Sequence, residues 1–257
     1  DPCDLLILES TYGDRLHEDR TRRVERLGHI LTKALLDNGK VFIPAFSLGR
    51  TQELIYEMDR LFSDPRLRQR FPDLNPENKI PVFIDSPLGL AITKVYSILS
   101  EYWDSEAREL YHSGDHPIDF DHLYAVENYK EHLKLLDMPG PAIIIAGSGM
   151  CTGGRIIDHL KNDLAKSKTD ILFAGYQAKG TPGRQILKQA GKKGGQVVID
   201  GKPCPVNAQI YPLTGYSAHA DQQELLEWAK AIKPRHIKLV HGEPGVQKVL
   251  KNKLKQI

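Results

Sequence analysis

The chain reads as an α/β protein with a mostly parallel sheet flanked by helices, and three observations predict it. Short unbroken apolar runs, at Leu5–Glu9 and at residues 41–46, 80–84, 142–146 and 170–174, alternate with helical stripes along the length. Runs with no polar face belong to strands covered on both sides. Glycine- and proline-rich turns separate the two patterns, and 257 residues at 40% hydrophobic and 26% charged give ample material for a core.

Each element follows from its local signals. Leu5–Glu9 is too short for a helix and ends in a Ser-Thr-Tyr-Gly turn. Residues 20–37 carry Val24, Leu27, Leu31 and Leu35 on one face and stop at Asn38-Gly39, a helix C-terminal signal. The strand at 41–46 leads through Ser47-Leu-Gly-Arg50 into a helix with Leu54, Ile55, Met58 and Leu61 turned inward. Residues 63–78, polar and dotted with proline, read as a surface excursion, and 88–103 as a helix entered by Pro87. Residues 113–123 form a His/Asp-rich loop, 129–136 a short helix, and 142–146 a buried strand opening into Gly147–Arg155. The strand at 170–174 opens into Gly175–Arg184 and another helix. Residues 196–213 read as short β segments with a hairpin turn at Gly201-Lys202-Pro203. A helix at Gln222–Ile232, a strand at 237–240 and a basic helix close the chain.

Composition excludes several classes. The net charge of +2 offers no basic tail, so a polyanion site must come from local clustering. The three cysteines, Cys3, Cys151 and Cys204, form no C-x-x-C pair, which argues against a disulfide framework or thiolate zinc and for a reducing, cytoplasmic setting. No apolar run of about 18 residues marks a membrane span, and the opening residues do not read as a signal peptide. The opening Asp-Pro-Cys-Asp, entering a strand at once, reads as a cut from a longer protein.

Three strand-to-helix turns share one chemistry: Ser47–Arg50, Gly147–Arg155 and Gly175–Arg184 combine glycines, hydroxyls and an arginine near a helix N-terminus. Exposed amides and the helix dipole favour anions there. Any one of them reads equally as an ordinary α/β turn with a surface arginine; three together point to a phosphate-rich ligand. Of the ten histidines, His112, His116 and His122 have no zinc spacing and read as solvated loop residues. His17, His29, His132 and His159 read as sitting on polar faces or loops, and His236 as exposed. His219, in Tyr216-Ser-Ala-His-Ala-Asp221, and His241, in Leu239-Val-His-Gly-Glu243, stand apart, because each lies in a turn among small and acidic residues. With Glu9 they are expected to form one edge of an active site.

Six ordered motifs carry a resemblance: Leu8-Glu-Ser-Thr-Tyr-Gly13, Pro44-Ala-Phe-Ser-Leu-Gly-Arg-Thr-Gln-Glu-Leu54, Gly147-Ser-Gly-Met150, Gly175-Tyr-Gln-Ala-Lys-Gly-Thr181, and the two histidine motifs. Together the sequence resembles the β-CASP group of the metallo-β-lactamase superfamily, RNA-processing nucleases related to the pre-mRNA 3′-end-processing endonuclease and ribonuclease J. The resemblance implies three segments: 1–13, the end of the N-terminal metallo-β-lactamase part; 14–216, the β-CASP domain; and 217–257, the C-terminal strand–helix part of the metallo-β-lactamase fold.

It also implies roles. Glu9 would orient His219, which would protonate the leaving oxygen or bind the scissile phosphate, and His241 would be a zinc ligand. Arg50, Ser148, Arg155, Lys179, Thr181, Arg184 and Ser217 are the candidates for gripping RNA phosphates. The family's N-terminal H-x-H-x-D-H zinc run is absent from this sequence. The expectation is therefore a parent ribonuclease using two zinc ions on single-stranded RNA, with this stretch inactive and without stable zinc when alone. Its partners would be RNA, the missing N-terminal half and a second copy in a homodimer, with no membrane. The alternative is a non-catalytic RNA-binding scaffold or partner subunit of the same group.

Overall fold

The computed structural model describes residues 3–74, 76–78 and 80–256. Its strands are β1 (Leu5–Glu9), β2 (Lys40–Pro44), β3 (Val82–Asp85), β4 (Leu123–Ala125), β5 (Ala142–Ala146), β6 (Asp170–Phe173), β7 (Gln196–Ile199), β8 (Lys202–Pro205), β9 (Gln209–Pro212) and β10 (His236–Val240). Its helices are α1 (Arg23–Leu35), α2 (Arg50–Ser63), α3 (Pro65–Arg70), α4 (Pro87–Ile98), α5 (Ser105–His112), α6 (Tyr129–Asp137), α7 (Ile156–Asp163), α8 (Pro182–Gln189), α9 (Gln222–Ile232) and α10 (Pro244–Leu254). They fall into two compact units, Asp1–Arg20 with Thr214–Ile257, and Thr21–Leu213.

The larger unit holds a six-stranded sheet in the order β4-β3-β5-β2-β6-β9, every pair parallel. Alternation splits its residues between two faces. Phe42, Ile144, Ile171 and Phe173 pack with Ile156, Leu160 and Ile186 of α7 and α8. Val41, Ile43, Ile143 and Ile145, also fully buried, point to the opposite face, where α1 packs on β2 and α4 on β3. The inward stripe Leu54, Ile55, Met58 and Leu61 of α2 is wholly buried. At the C-terminal strand ends, Asp85 and Pro44 both register with Ala146. The turns carrying the candidate anion-binding residues leave from this edge, the usual place for ligands of open parallel sheets.

Several segments differ from expectation. The 63–78 excursion contains α3, whose cap Asp64 accepts from the Arg66 amide at 2.7 Å, and it buries Phe71 and Leu74; Asn75 lies outside the described residues. Phe71 fills the space that the missing Cβ of Gly28 leaves open, since a Cβ there would stand 2.6 Å from its ring. The helix expected over 88–103 stops at Ile98, and one 3-10 turn follows at Ser100–Tyr102. α5 and the three-residue edge strand β4 carry too few periodic apolar residues to stand out in the sequence.

In the smaller unit β1 and β10 pair in parallel, Leu8 opposite Leu239 and Glu9 opposite Val240. One face of this ribbon, Leu6, Leu8 and Leu239, packs on Leu225 and Ala229 of α9 and Leu250 of α10. On the other, Leu5 and Ile7 are 53% and 62% exposed.

Candidate active site

Strand pairing in the smaller unit brings Glu9 and His241 to the same end of the ribbon. The Ser10 hydroxyl donates to the Val240 carbonyl at 2.7 Å, and Gly242 lies so close that a Cβ there would stand 2.4 Å from Ser10 Oγ. His241 takes a positive φ of 51° in this turn. His219 comes from the turn before α9, which a capping box fixes: the Glu224 amide donates to Asp221 at 3.0 Å and the Asp221 amide to Glu224 at 2.8 Å.

The three side chains meet. The Ala220 and Thr11 amides each donate to the Glu9 carboxylate at 3.0 Å, and His219 Nδ1 lies 3.3 Å from Glu9 Oε1. A carboxylate only accepts, so His219 Nδ1 carries the proton. Thr11 Oγ1 donates to the His241 carbonyl at 3.0 Å, and therefore accepts from His241 Nδ1, also at 3.0 Å. The two rings stack with centroids 5.1 Å apart. Both imidazoles are thus held by Nδ1, and each keeps Nε2 as its free nitrogen. Burial pushes the Glu9 carboxyl up, but the hydrogen bonds from Thr11 and Ala220 and the charge of His219 outweigh it and hold Glu9 below the usual carboxylate range.

The ligand atoms of Glu9, His219 and His241 lie within 4.8 Å of one another. Glu9 is already engaged by three donors, which leaves two imidazole nitrogens. A zinc ion needs about three protein ligands or more, so these residues suit part of a zinc site, with His241 as a donor.

The anion-site candidates sort by what already holds them. Ser217 is buried and its hydroxyl accepts from the His219 amide at 3.3 Å. In the larger unit, Arg50 pairs with Glu53. Ser148 Oγ accepts from the Thr152 amide at 2.9 Å, and Thr181 caps α8 while donating to the Ala178 carbonyl at 2.7 Å. Arg184 donates to the Gln177 carbonyl at 3.2 Å, whereas Lys179 is exposed. Gln177, which the sequence reading passed over, ties two of the turns together by donating to the Gly149 carbonyl at 2.8 Å.

Arg155 turns inward. It donates to Asp85 Oδ1 at 2.8 Å and to the Val126 carbonyl at 2.7 Å. The other Asp85 oxygen accepts from His132 Nδ1 and His159 Nε2, both at 2.6 Å. This corrects the reading of His132 and His159 as polar-face residues: both are wholly buried, because a buried carboxylate at the end of β3 needs their donors. Burial raises the Asp85 carboxyl, and the bonds from His159, His132 and Arg155 more than reverse that. Burial lowers His159, consistent with a neutral ring donating through Nε2. Asp85, His132 and His159 could also be read as metal ligands. Contacts of 2.6 Å and a guanidinium on the same carboxylate favour the hydrogen-bonded network.

Comparison with known proteins fits this geometry. The Beta-Casp domain family matches residues 51–186, and the Zn-dependent metallo-hydrolase RNA specificity domain matches residues 203–257. The chain is 36% identical over 241 residues to Ribonuclease TTHA0252 of Thermus thermophilus, covering 94% of this chain and 52% of that protein. It is 32% identical over 248 residues to Transcription termination factor FttA of Methanocaldococcus jannaschii (93% and 37%). It is 29% identical over 248 residues to Cleavage and polyadenylation specificity factor 73 of Drosophila melanogaster (96% and 34%). The chain thus spans about half the length of the first of these relatives and about a third of the other two. No helix among the described residues is long and apolar enough to cross a membrane. With the first of these matches spanning more than half of its residues, the chain belongs to the Beta-Casp domain family of the metallo-β-lactamase superfamily.

Proposed function

We propose that this chain is the RNA-gripping and acid-bearing part of a zinc-dependent hydrolase that cleaves phosphodiester bonds in single-stranded RNA. The observation that carries the reading is the meeting of Glu9, His219 and His241, with both rings held at Nδ1 and free at Nε2. Glu9 orients His219, whose Nε2 is the atom placed to pass a proton to the leaving oxygen or to hold the scissile phosphate. His241 Nε2 would serve as one zinc ligand, and Thr11 fixes its ring. Zinc, when bound, supplies Lewis acidity at the phosphate. Lys179 is the exposed cation for the RNA backbone, supported by the glycine-rich turns that Thr181, Ser148 and Gln177 shape.

Segments 1–13 and 217–257 are assigned to the metallo-β-lactamase part and 14–216 to the β-CASP domain. The apolar face of Leu5 and Ile7 supports a further layer of that first part, because parallel sheets bury both faces. That layer would bring the remaining zinc ligands. The three unpaired cysteines support a cytoplasmic setting. The stripe of Leu88, Val95, Ile98 and Tyr102 on and just after α4, with Ile98 and Tyr102 each 77% exposed, is the surface proposed for a homodimer.

The test is cleavage of a 5′-labelled single-stranded RNA with added zinc, by this chain and by a longer protein that carries the upstream histidine run. The chain alone is expected to bind RNA without turnover, and His219→Ala to abolish turnover in the longer protein. Zinc-dependent turnover by the chain alone, or full activity of His219→Ala, would contradict the assignment.

A further inference from the structure

A second polar site lies in the larger unit, among α2, α3 and α5. An open pocket of about 700 Å³ is lined by five carboxylates, including Asp59, Glu109 and Asp115, against the two guanidinium groups of Arg60 and Arg66. Asp59 is only 3% exposed, yet it lines this pocket and has neither a hydrogen-bond nor an ion-pair partner among the described residues. Its surroundings offer no relief: burial, with Asp115 and Asp119 nearby, pushes the carboxyl up to about 7. Arg60, the next residue along α2, leans 3.9 Å from the buried Glu57 carboxylate instead.

A nearly buried carboxylate without a donor costs free energy until a proton or another cation meets it, and an ammonium group can take the place of the proton. A bare divalent ion does not suit the place. Among the described residues the sets of three or more His, Cys, Asp or Glu ligand atoms within 4.8 Å of one another are those of Glu9 and of Asp85, and Asp59 belongs to neither. Carboxylates that line a roomy pocket without converging match several positive charges spaced along a flexible stem, and Leu110 and Pro65 give that stem apolar wall.

We propose that this pocket binds an alkyl polyammonium ion, with one ammonium group seated on Asp59 and a second reaching Glu109 or Asp115. The site is independent of the RNA-cleaving reading.

Calorimetric titration of the whole chain with spermidine at fixed ionic strength tests it, beside Asp59→Asn, which keeps the volume, and Glu109→Gln. One spermidine per chain is expected, with affinity reduced at least about tenfold by Asp59→Asn, the loss usual when one partner of a desolvated charge pair is removed. Glu109→Gln is expected to weaken it by a smaller factor, and magnesium at equal ionic strength to leave it unchanged. Wild-type affinity in Asp59→Asn would overturn the proposal, as would one-for-one competition by magnesium. Tighter binding of an acetyl-Lys-Lys amide than of spermidine would move the same chemistry to a lysine-bearing protein and overturn a free polyamine as the ligand.

Discussion

Asp85→Asn removes one charge from the middle of the larger unit and leaves its volume almost unchanged. In the native protein the carboxylate accepts from Arg155 at 2.8 Å and from His132 and His159 at 2.6 Å, with all but Arg155 wholly buried. An amide accepts at one end only, so either Arg155 or the histidine pair faces an N–H group. Removing one partner from a buried charged pair costs about 3–5 kcal/mol. At about 2–4 °C per kcal/mol for a unit of this size, unfolding should fall by about 6–20 °C. Trp103 and Trp228 are the two tryptophans, so Trp228→Phe, at an exposed site on α9, leaves Trp103 to report the larger unit alone. The sign with pH follows from the depressed Asp85 carboxyl. Its stabilisation is complete above the unfolded carboxyl pKa of about 3.9 and is lost as pH falls through the lower folded value. The gap between the two proteins should therefore close in acid. A fall of under about 2 °C at neutral pH, well short of the range above, would refute the account of a charged network.

Other perturbations separate the remaining roles. Thr11→Val should release His241 Nδ1, seen as a shift of its ring ¹⁵N signals away from the Nδ1–H tautomer; in the longer protein it should cost about 10–100-fold in activity, as loss of such orienting partners does. Lys179→Ala should weaken RNA binding and lower the salt slope by about 0.7, one single-strand phosphate's worth, measured by fluorescence anisotropy. Arg155→Ala should instead lower the unfolding temperature reported by Trp103, because its guanidinium is spent on Asp85 and Val126. Ile98→Glu should convert a dimer to monomers in light scattering, while a wild-type monomer at all concentrations would remove α4 as the contact.

What could be read from the sequence was whatever is local. The inward stripe of α2 and the strands β1 and β10 follow from periodicity and short apolar runs, and the structure has them there. Glu9, His219 and His241 were legible as a set only because each sits in a recognisable motif at a strand or helix end. The Asp85 network was not legible. Its members stand 47, 70 and 74 residues from Asp85, and His132 and His159 occupy helix positions that look polar until a carboxylate is known to face them. Thr11 was hidden for a different reason, since a threonine after a strand reads as turn chemistry, and its two contacts with His241 lie 230 residues away.

That same separation sets a timetable for synthesis. β1 leaves the ribosome well before β10, its sheet partner, with Ser10 and Val240 joined across 230 residues. At about 5–20 residues per second, β1 waits roughly 10–45 s for that partner. During that interval the whole of Thr21–Leu213 emerges and can fold as its own compact unit. Meanwhile the edge of Leu-Leu-Ile-Leu-Glu that will pair with β10 is unpaired. Nascent chains arrested before residue 236 should therefore bind a hydrophobic-segment chaperone through β1, and release it once β10 has cleared the exit tunnel.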